Sequence, residues 1–373
     1  MTAEAAPAAV TGLDPIERAI ADIAAGRAVV VVDDEDRENE GDVVFAAELA
    51  TPELVAFTMT QCRGLLCVPL EGDVLDHLEL GQMAAHNTER MQTAFTVSVD
   101  AREGTTTGIS AADRARTITL LADPTTNSYD LVRPGHVFPL RAKPGGVLRR
   151  PGHTEAAVDL ARLAGLRPAG VICEIVREDG TMARLPDLRV FARQHELKIG
   201  TIADLIGYRS RNETLIERSG ARVLATPHGE FDCVAYRDKG GGVHLALTHG
   251  VFGEHDDVLV RVHEPFTALD LLDTASAGHS WPLHAALAAL HRAPAGVAVL
   301  LNCGHDAALL LPQLLPDNAA PAPRAAMDLR TYGVGAQILR DLGVRRMQLL
   351  GSPRRMPSMA GYGLEVMGFR AAA

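Results

Sequence analysis

Five small apolar residues, "AVVVV" at 28–32, run straight into "DDEDRENEGD" at 33–42, where seven of ten side chains are acidic and Arg37 is the only cation. A short run this rich in valine reads as a strand buried on both faces, which needs a layer of structure on each side. The acids that follow repel one another, so they must either meet a positive charge or stay in water. A solvated loop is the common outcome for an acidic run. A loop at a strand end is also where α/β folds hold their sites. The second reading is favoured here, because the cluster follows the strand directly and mixes Arg37, Asn39 and Gly41 among its acids. Carboxylate oxygens at this density suit a hard divalent cation, Mg²⁺ or Mn²⁺.

Helix and strand signals alternate beyond this point. Residues 14–25 predict an opening helix, with Asp14 to cap it, Pro15 at its first position and Gly26 to end it. A short helix is expected at 52–60, strands at 64–70, 94–100 and 169–176, and a helix over 152–165 beginning near His153. The mixture predicts an α/β fold of the α+β layered kind. At 373 residues the chain exceeds one ordinary core. The polar, Arg-rich stretch 207–220 reads as the junction or the first strand of the next unit, giving domains of 1–208 and 209–373. In the second, strands are expected near 243–248 and 257–263 and a helix at 334–342, while 282–325, rich in Ala, Leu and Pro, specifies little.

Composition narrows the partners. A net charge of −11 counts against nucleic acid, which needs a basic face, but allows a small phosphorylated substrate held by a few arginines. No apolar run is long enough to span a membrane, and the first residues lack the pattern of a secretory signal. Five scattered cysteines suit a reducing compartment, so a cytoplasmic protein is expected.

Four more stretches carry candidate chemistry. "RRPGHTEA" at 149–156 places Arg150, Gly152, His153 and Thr154 at a helix start, where free N–H groups and the helix dipole attract anions. Arg adds a planar fork for phosphate, and His153 suits a metal or a proton. The alternative is an ordinary cap with exposed arginines. "GTTTGISAADRA" at 104–115, which includes Thr107, is either a hydroxyl-rich loop that hydrogen-bonds a polyol or phosphate, or a Thr-rich turn before a capped helix. "RPGHVFPLRA" at 133–142 predicts a proline-bracketed, non-helical turn around His136, either functional or a rigid connector. Glu174 interrupts an apolar strand, so it is paired or functional.

Taken in order, "DDEDRENEGD", "GTTTGISAADR", "RPGHVFPLRA", "GGVLRRPGHTEA" and "PAGVICEI" resemble 3,4-dihydroxy-2-butanone-4-phosphate synthase over about residues 12–208. That resemblance implies a riboflavin-pathway lyase converting D-ribulose 5-phosphate to L-3,4-dihydroxy-2-butanone 4-phosphate and formate. It implies Mg²⁺ or Mn²⁺ held by Glu38 and His153, and a homodimer with active sites at the subunit interface. Arg37, Glu38, Asp42, Thr107, Arg150, Gly152, His153, Thr154 and Glu174 would hold substrate. Asp33, Glu35, Cys67, His136 and Glu174 match positions tied to catalysis. The chemistry accounts for the residue types: a proton next to a ketone needs a carboxylate or imidazole base, and the enediolate left behind needs a cation. Several proton transfers at different carbons need more than one acid.

The second half resembles GTP cyclohydrolase II through "GEFDCVAYRD", "HLALTHG", "VLVRVHE", "YGVGAQILRDLGV" and "GYGLEVMGF". Active members of that family carry a three-cysteine zinc site soon after the segment matched by "VRVHE". Residues 263–283 contain no cysteine, although His263 and His279 are present. The family's Arg- and Gly-rich run is replaced by "NCGHDAALLL" at 302–311, with Cys303 and His305, and Thr331 stands beside Tyr332 where an acid is usual. The domain is therefore expected to bind no zinc and not to hydrolyse GTP, serving a structural or regulatory role. The alternatives are a bifunctional enzyme that retains the cyclohydrolase activity, and a scaffolding module that recruits other riboflavin-pathway enzymes.

Overall fold

The computed structural model describes residues 13–239, 241–264, 266, 269–272, 279–303, 329–353, 356 and 359–372. Two compact units divide at Ile206 and Gly207.

The first unit is a seven-stranded sheet with helices on both faces. Its strands are β1 (Val29–Val32), β2 (Gly41–Ala46), β3 (Cys67–Leu70), β4 (Val99–Ala101), β5 (Leu131–Arg141), β6 (Gly170–Glu174) and β7 (Lys198–Thr201), in the spatial order β4-β5-β3-β6-β2-β1-β7. The helices are α1 (Ile16–Ala24), α2 (Pro52–Phe57), α3 (Gly72–His77), α4 (Ala111–Ala122), α5 (His153–Leu163) and α6 (Leu185–Gln194), and α7 (Ile202–Asn212) contains the division. All four residues of β1 and all six of β2 are buried, as covered strands require. Side chains alternate between the two faces. Val30, Val32, Val43, Phe45, Val68 and Val171 join α2, α4 and α6 in one core. The other face packs on α5: a Cβ at Gly170 would stand 2.7 Å from the Ala157 Cβ.

Four expectations change. The acidic stretch is the connection of a hairpin, because β1 and β2 pair antiparallel with Val32 opposite Gly41, and Gly41 and Asp42 already belong to β2. His136 lies on the eleven-residue strand β5, not in a turn. The prolines are tolerated there because the β4–β5 register shifts between Val99 and Asp100, and because Pro139 still offers its carbonyl, which accepts Thr96 N–H at 3.1 Å. The polar stretch after 206 begins inside α7 rather than as a strand. The opening helix is preceded by Pro15 without a side-chain cap, and the Asp14 carboxylate instead accepts Ile199 N–H at 3.1 Å.

The second unit carries β8 (Ile216–Thr226), β9 (Gly229–Asp238), β10 (Val243–His249), β11 (Asp257–His263), β12 (Gly296–Leu300), β13 (Arg346–Leu350) and β14 (Glu365–Arg370), ordered β14-β13-β11-β12-β10-β9-β8. Helices α8 (Leu269–Leu272), α9 (Leu283–Arg292) and α10 (Leu329–Asp341) accompany them. Its core joins Phe231, Leu247, Leu259, Trp281, Leu287 and Leu300. Most of 302–311, including His305, and the side chains of Thr331 and Tyr332 lie outside the described residues.

Candidate active site

Register alone brings the candidate acids together. Asp42 on β2 pairs with Glu174 on β6, and Val44 pairs with Ile172, which in turn faces Cys67 on β3. Directly paired residues point to the same face, so Asp42, Glu174 and Cys67 all face α5. Both acids sit at the sheet end where the loop 33–40 and the N-terminus of α5 meet.

Asp33 shapes that loop. Its carboxylate accepts Arg37 Nη1–H at 2.8 Å, Glu38 N–H at 3.2 Å and Glu40 N–H at 2.8 Å. The guanidinium of Arg184 grips the loop from the other side, donating to the carbonyls of Glu38, at 2.9 Å, and Asn39. Arg37 is buried between Asp33 and Glu38 and ion-paired with both. Glu35 stands exposed on the loop. Asp36 is exposed too, and of the seven acids only Asp33 and Asp42 are buried, so water relieves part of the crowding while Arg37 and backbone amides neutralise Asp33 from within.

His153 opens α5, whose preceding residue Gly152 provides no side-chain cap. Its Nε2 is 3.1 Å from the Val31 carbonyl, which can only accept, so Nε2 carries the proton. Nδ1 is left with its lone pair, 3.8 Å from Asp42 Oδ1. Burial lowers the pKa of this imidazole and keeps it neutral, the form that binds metal. One donor atom each from Asp33, Glu38 and His153 lie within 4.8 Å of one another. Two carboxylates and an imidazole, with Asp42 Oδ1 buried nearby and lacking a hydrogen-bond partner, are a donor set that fits Mg²⁺ or Mn²⁺.

Burial, then Glu174, pushes the Asp42 carboxyl well above the usual carboxylate range. Burial, then Glu174 and Asp42, raises the Cys67 thiol, so Cys67 is a protonated group and not a thiolate nucleophile. The Glu174 carboxylate accepts Leu65 N–H at 2.8 Å.

Arg150 and Gly152 form the floor beneath Arg37. Arg150 is buried, with Nη1 2.7 Å from Glu155 Oε2 and Nη2 donating to the Met91 carbonyl at 3.0 Å and to Thr93 Oγ1 at 3.2 Å. Its fork is therefore engaged within the chain and not spread open for phosphate. A Cβ on Gly152 would meet Arg150 Nη1 at 2.5 Å and Arg37 Nη2 at 3.0 Å, so any side chain there would displace the two guanidinium groups. Thr154 is buried on the first turn of α5.

His136 and Thr107 form a separate group. His136 Nδ1 is 2.7 Å from Asp100 Oδ2, and its backbone N–H donates to Asp100 Oδ1 at 2.9 Å. Gly108 presses on that pair; a Cβ there would stand 2.1 Å from Asp100 Oδ2 and 2.7 Å from His136 Nδ1. Asp113 holds the loop by accepting Thr106 N–H, the Thr106 hydroxyl and Gly108 N–H. Thr107 itself is exposed. Strand β3 stands between β5 and β6, so His136 lies two strand spacings, about 10 Å, from the strand that bears Glu174. Sequence reasoning missed Asp100, Arg184, Glu155 and Asp113. Each is a positioning group whose only signal is a contact distant in sequence or a helix start.

Acids from a hairpin loop and two strands, gathered with a buried imidazole at one end of an α/β sheet, have the form of an enzyme site for a small molecule. The comparisons name it more closely. A family model of 3,4-dihydroxy-2-butanone 4-phosphate synthase matches residues 17–208, and one of GTP cyclohydrolase II matches 217–371. The chain is 50% identical over 361 residues to a 3,4-dihydroxy-2-butanone 4-phosphate synthase of Neisseria meningitidis serogroup B, covering 96% of this chain and 99% of that one. It is 52% identical over 372 residues to riboflavin biosynthesis protein RibBA of Salinispora arenicola, covering 96% and 88%. Among solved structures, RibBX of A. baumannii, a two-domain 3,4-dihydroxy-2-butanone 4-phosphate synthase, superposes with TM-score 0.67 at 45% identity and covers 96% of this chain and all of its own. A 3,4-dihydroxy-2-butanone 4-phosphate synthase in complex with two magnesium ions covers 53% of this chain and 98% of its own, with TM-score 0.52 and 46% identity. The chain belongs to the 3,4-dihydroxy-2-butanone 4-phosphate synthase family and carries that synthase activity, followed by a GTP cyclohydrolase II-like domain.

Proposed function

We propose that the chain converts D-ribulose 5-phosphate into L-3,4-dihydroxy-2-butanone 4-phosphate and formate at the site between the loop 33–40 and α5. The observation that carries this reading is the meeting of Asp33, Glu38 and His153 beside buried Asp42 and its half-buried ladder partner Glu174. Glu38 and His153 would hold Mg²⁺ or Mn²⁺, with Asp33 as loop organiser and neighbouring donor. The ion would supply positive charge where the substrate's carbonyl oxygen becomes negative.

The chain's own groups divide the remaining work. Glu174 and Asp42, two acids on one ladder position, are placed to share and relay protons between neighbouring carbons. Cys67 offers a protonated thiol on the same face. Arg37 and the free N–H groups at the start of α5 would hold the phosphorylated end of the substrate. Pro151 contributes no N–H to that set. Arg150 would act from behind, keeping Glu155 and the 91–93 segment in place. Glu35, exposed, is assigned only to the charge of the loop.

His136, two strand spacings from the strand of Glu174, and Thr107 on the loop beside it form a group apart from the metal ligands. Their exposure supports a homodimer in which each subunit lends these residues to its partner's site. The enzyme would work in the cytoplasm. The described residues contain no helix long and apolar enough to cross a membrane. The C-terminal domain would not hydrolyse GTP and would serve a structural or regulatory role.

Mn²⁺ binding followed by electron paramagnetic resonance tests the site. Wild-type protein should bind Mn²⁺, and Glu38→Gln and His153→Ala should each weaken binding by about 10–100-fold. Undiminished binding in both variants would remove the site from this place.

A further inference from the structure

The second unit holds a cluster that the lyase does not use. His263 closes β11, where its carbonyl accepts Leu301 N–H at 3.0 Å. Its imidazole is fully buried, and Nε2 has no hydrogen-bond partner. That nitrogen points towards Asp270 Oδ1 at 3.1 Å, and His279 Nε2 lies 3.4 Å from the same oxygen. The two rings stack with centroids 4.0 Å apart. One donor atom from each of the three lies within 4.8 Å of the others. On the far side of the ring, His263 Nδ1 faces Arg261 Nη2 at 3.5 Å, a long contact, since that guanidinium donates to the Leu350 carbonyl at 2.9 Å through Nη1.

His263 Nε2 thus has a carboxylate oxygen at close range but no aligned hydrogen bond, and that incomplete pairing of a buried nitrogen costs free energy that joint ligation of an ion removes. Two imidazoles and one carboxylate are a recurring donor set for borderline divalent ions. The three thiolates that the cyclohydrolase resemblance calls for are missing from 263–283, so that zinc site does not fit this chain. We propose that the C-terminal unit instead binds one zinc-class divalent cation through His263, Asp270 and His279. The ion pins the segment carrying α8 and His279 to the end of β11. Its role is to hold that segment, and no hydrolytic step is assigned to it. This proposal departs from the expectation of a C-terminal domain without zinc, which rested on the missing cysteines.

The test uses the full chain carrying Glu38→Gln, which weakens metal binding at the N-terminal site by about 10–100-fold and makes the result independent of lyase activity. The protein is stripped with EDTA, dialysed against Zn²⁺ and analysed for bound zinc. The E38Q protein should keep a single zinc per chain, and the added substitution His279→Gln, at a partly exposed residue that can change without unfolding the core, should lower zinc affinity by about 10–100-fold. X-ray absorption should show nitrogen and oxygen neighbours near about 2.0 Å and no sulfur near about 2.3 Å. The proposal is overturned if E38Q keeps no zinc, if H279Q leaves the bound zinc unchanged, or if sulfur appears in the shell.

Discussion

Asp42 and Glu174 occupy directly opposed positions of the antiparallel β2–β6 ladder, two acids where a sheet ordinarily pairs apolar side chains. Like charges placed directly opposite destabilise a sheet. The conflict eases if Asp42 keeps its proton, and burial together with Glu174 drives its pKa in that direction. A carboxyl with a raised folded pKa binds its proton more tightly in the folded chain than in the unfolded one. Its contribution to stability is full below about pH 4, where the unfolded acid is protonated too, and is lost as pH rises towards the folded pKa.

Asp42→Asn removes that loss. In EDTA, urea unfolding should find wild type and D42N similar near about pH 4, with D42N the more stable by roughly 1–3 kcal/mol near about pH 7. The same variant should release far less formate. Equal stability at neutral pH would show that the acid is not strained by its neighbours.

Asp100 accepts hydrogen bonds from both the backbone and, through Nδ1, the ring of His136. In Asp100→Asn the amide side chain offers the ring a donor in place of an acceptor and shifts the tautomer. The turnover rate should fall by about 10–100-fold, with little change in KM. Steady-state kinetics decide; an unchanged turnover rate would make the pair merely structural.

Gly152 lies under two guanidinium groups. Gly152→Ala should push Arg150 Nη1 and Arg37 Nη2 away from their present places and raise KM for the sugar phosphate by about tenfold, with a stability loss of about 1–3 kcal/mol. A normal KM would mean that neither arginine bears on substrate.

The C-terminal domain should release no formate from GTP, with or without added zinc. Residues 263–283 supply no thiolate, and burial raises the Cys303 thiol to about 11. GTP-dependent formate would establish a cyclohydrolase site of another kind.

Much of this site could be read from the sequence because its residues lie in short contiguous stretches beside an apolar strand. The loop 33–40 and the start of α5 were found in that way. The hairpin was not, because Gly41 and Asp42 resemble the acidic loop before them while pairing as β2. Strand β5 was misread as a turn because its prolines hide a pairing that a register shift makes possible. Asp100 and Arg184 gave no signal, since each acts on a residue far away in the chain: His136 in one case and the carbonyls of 38 and 39 in the other. Positioning contacts of this kind are properties of the fold and have no local pattern.

The central claim is that the acids around Asp42 and Glu174, with a divalent ion, split ribulose 5-phosphate. Formate release from D-ribulose 5-phosphate by the purified full chain, with Mg²⁺ and separately with EDTA, tests it most directly. The account predicts formate with Mg²⁺ and none with EDTA. No formate under either condition, or formate unaffected by EDTA, would contradict it.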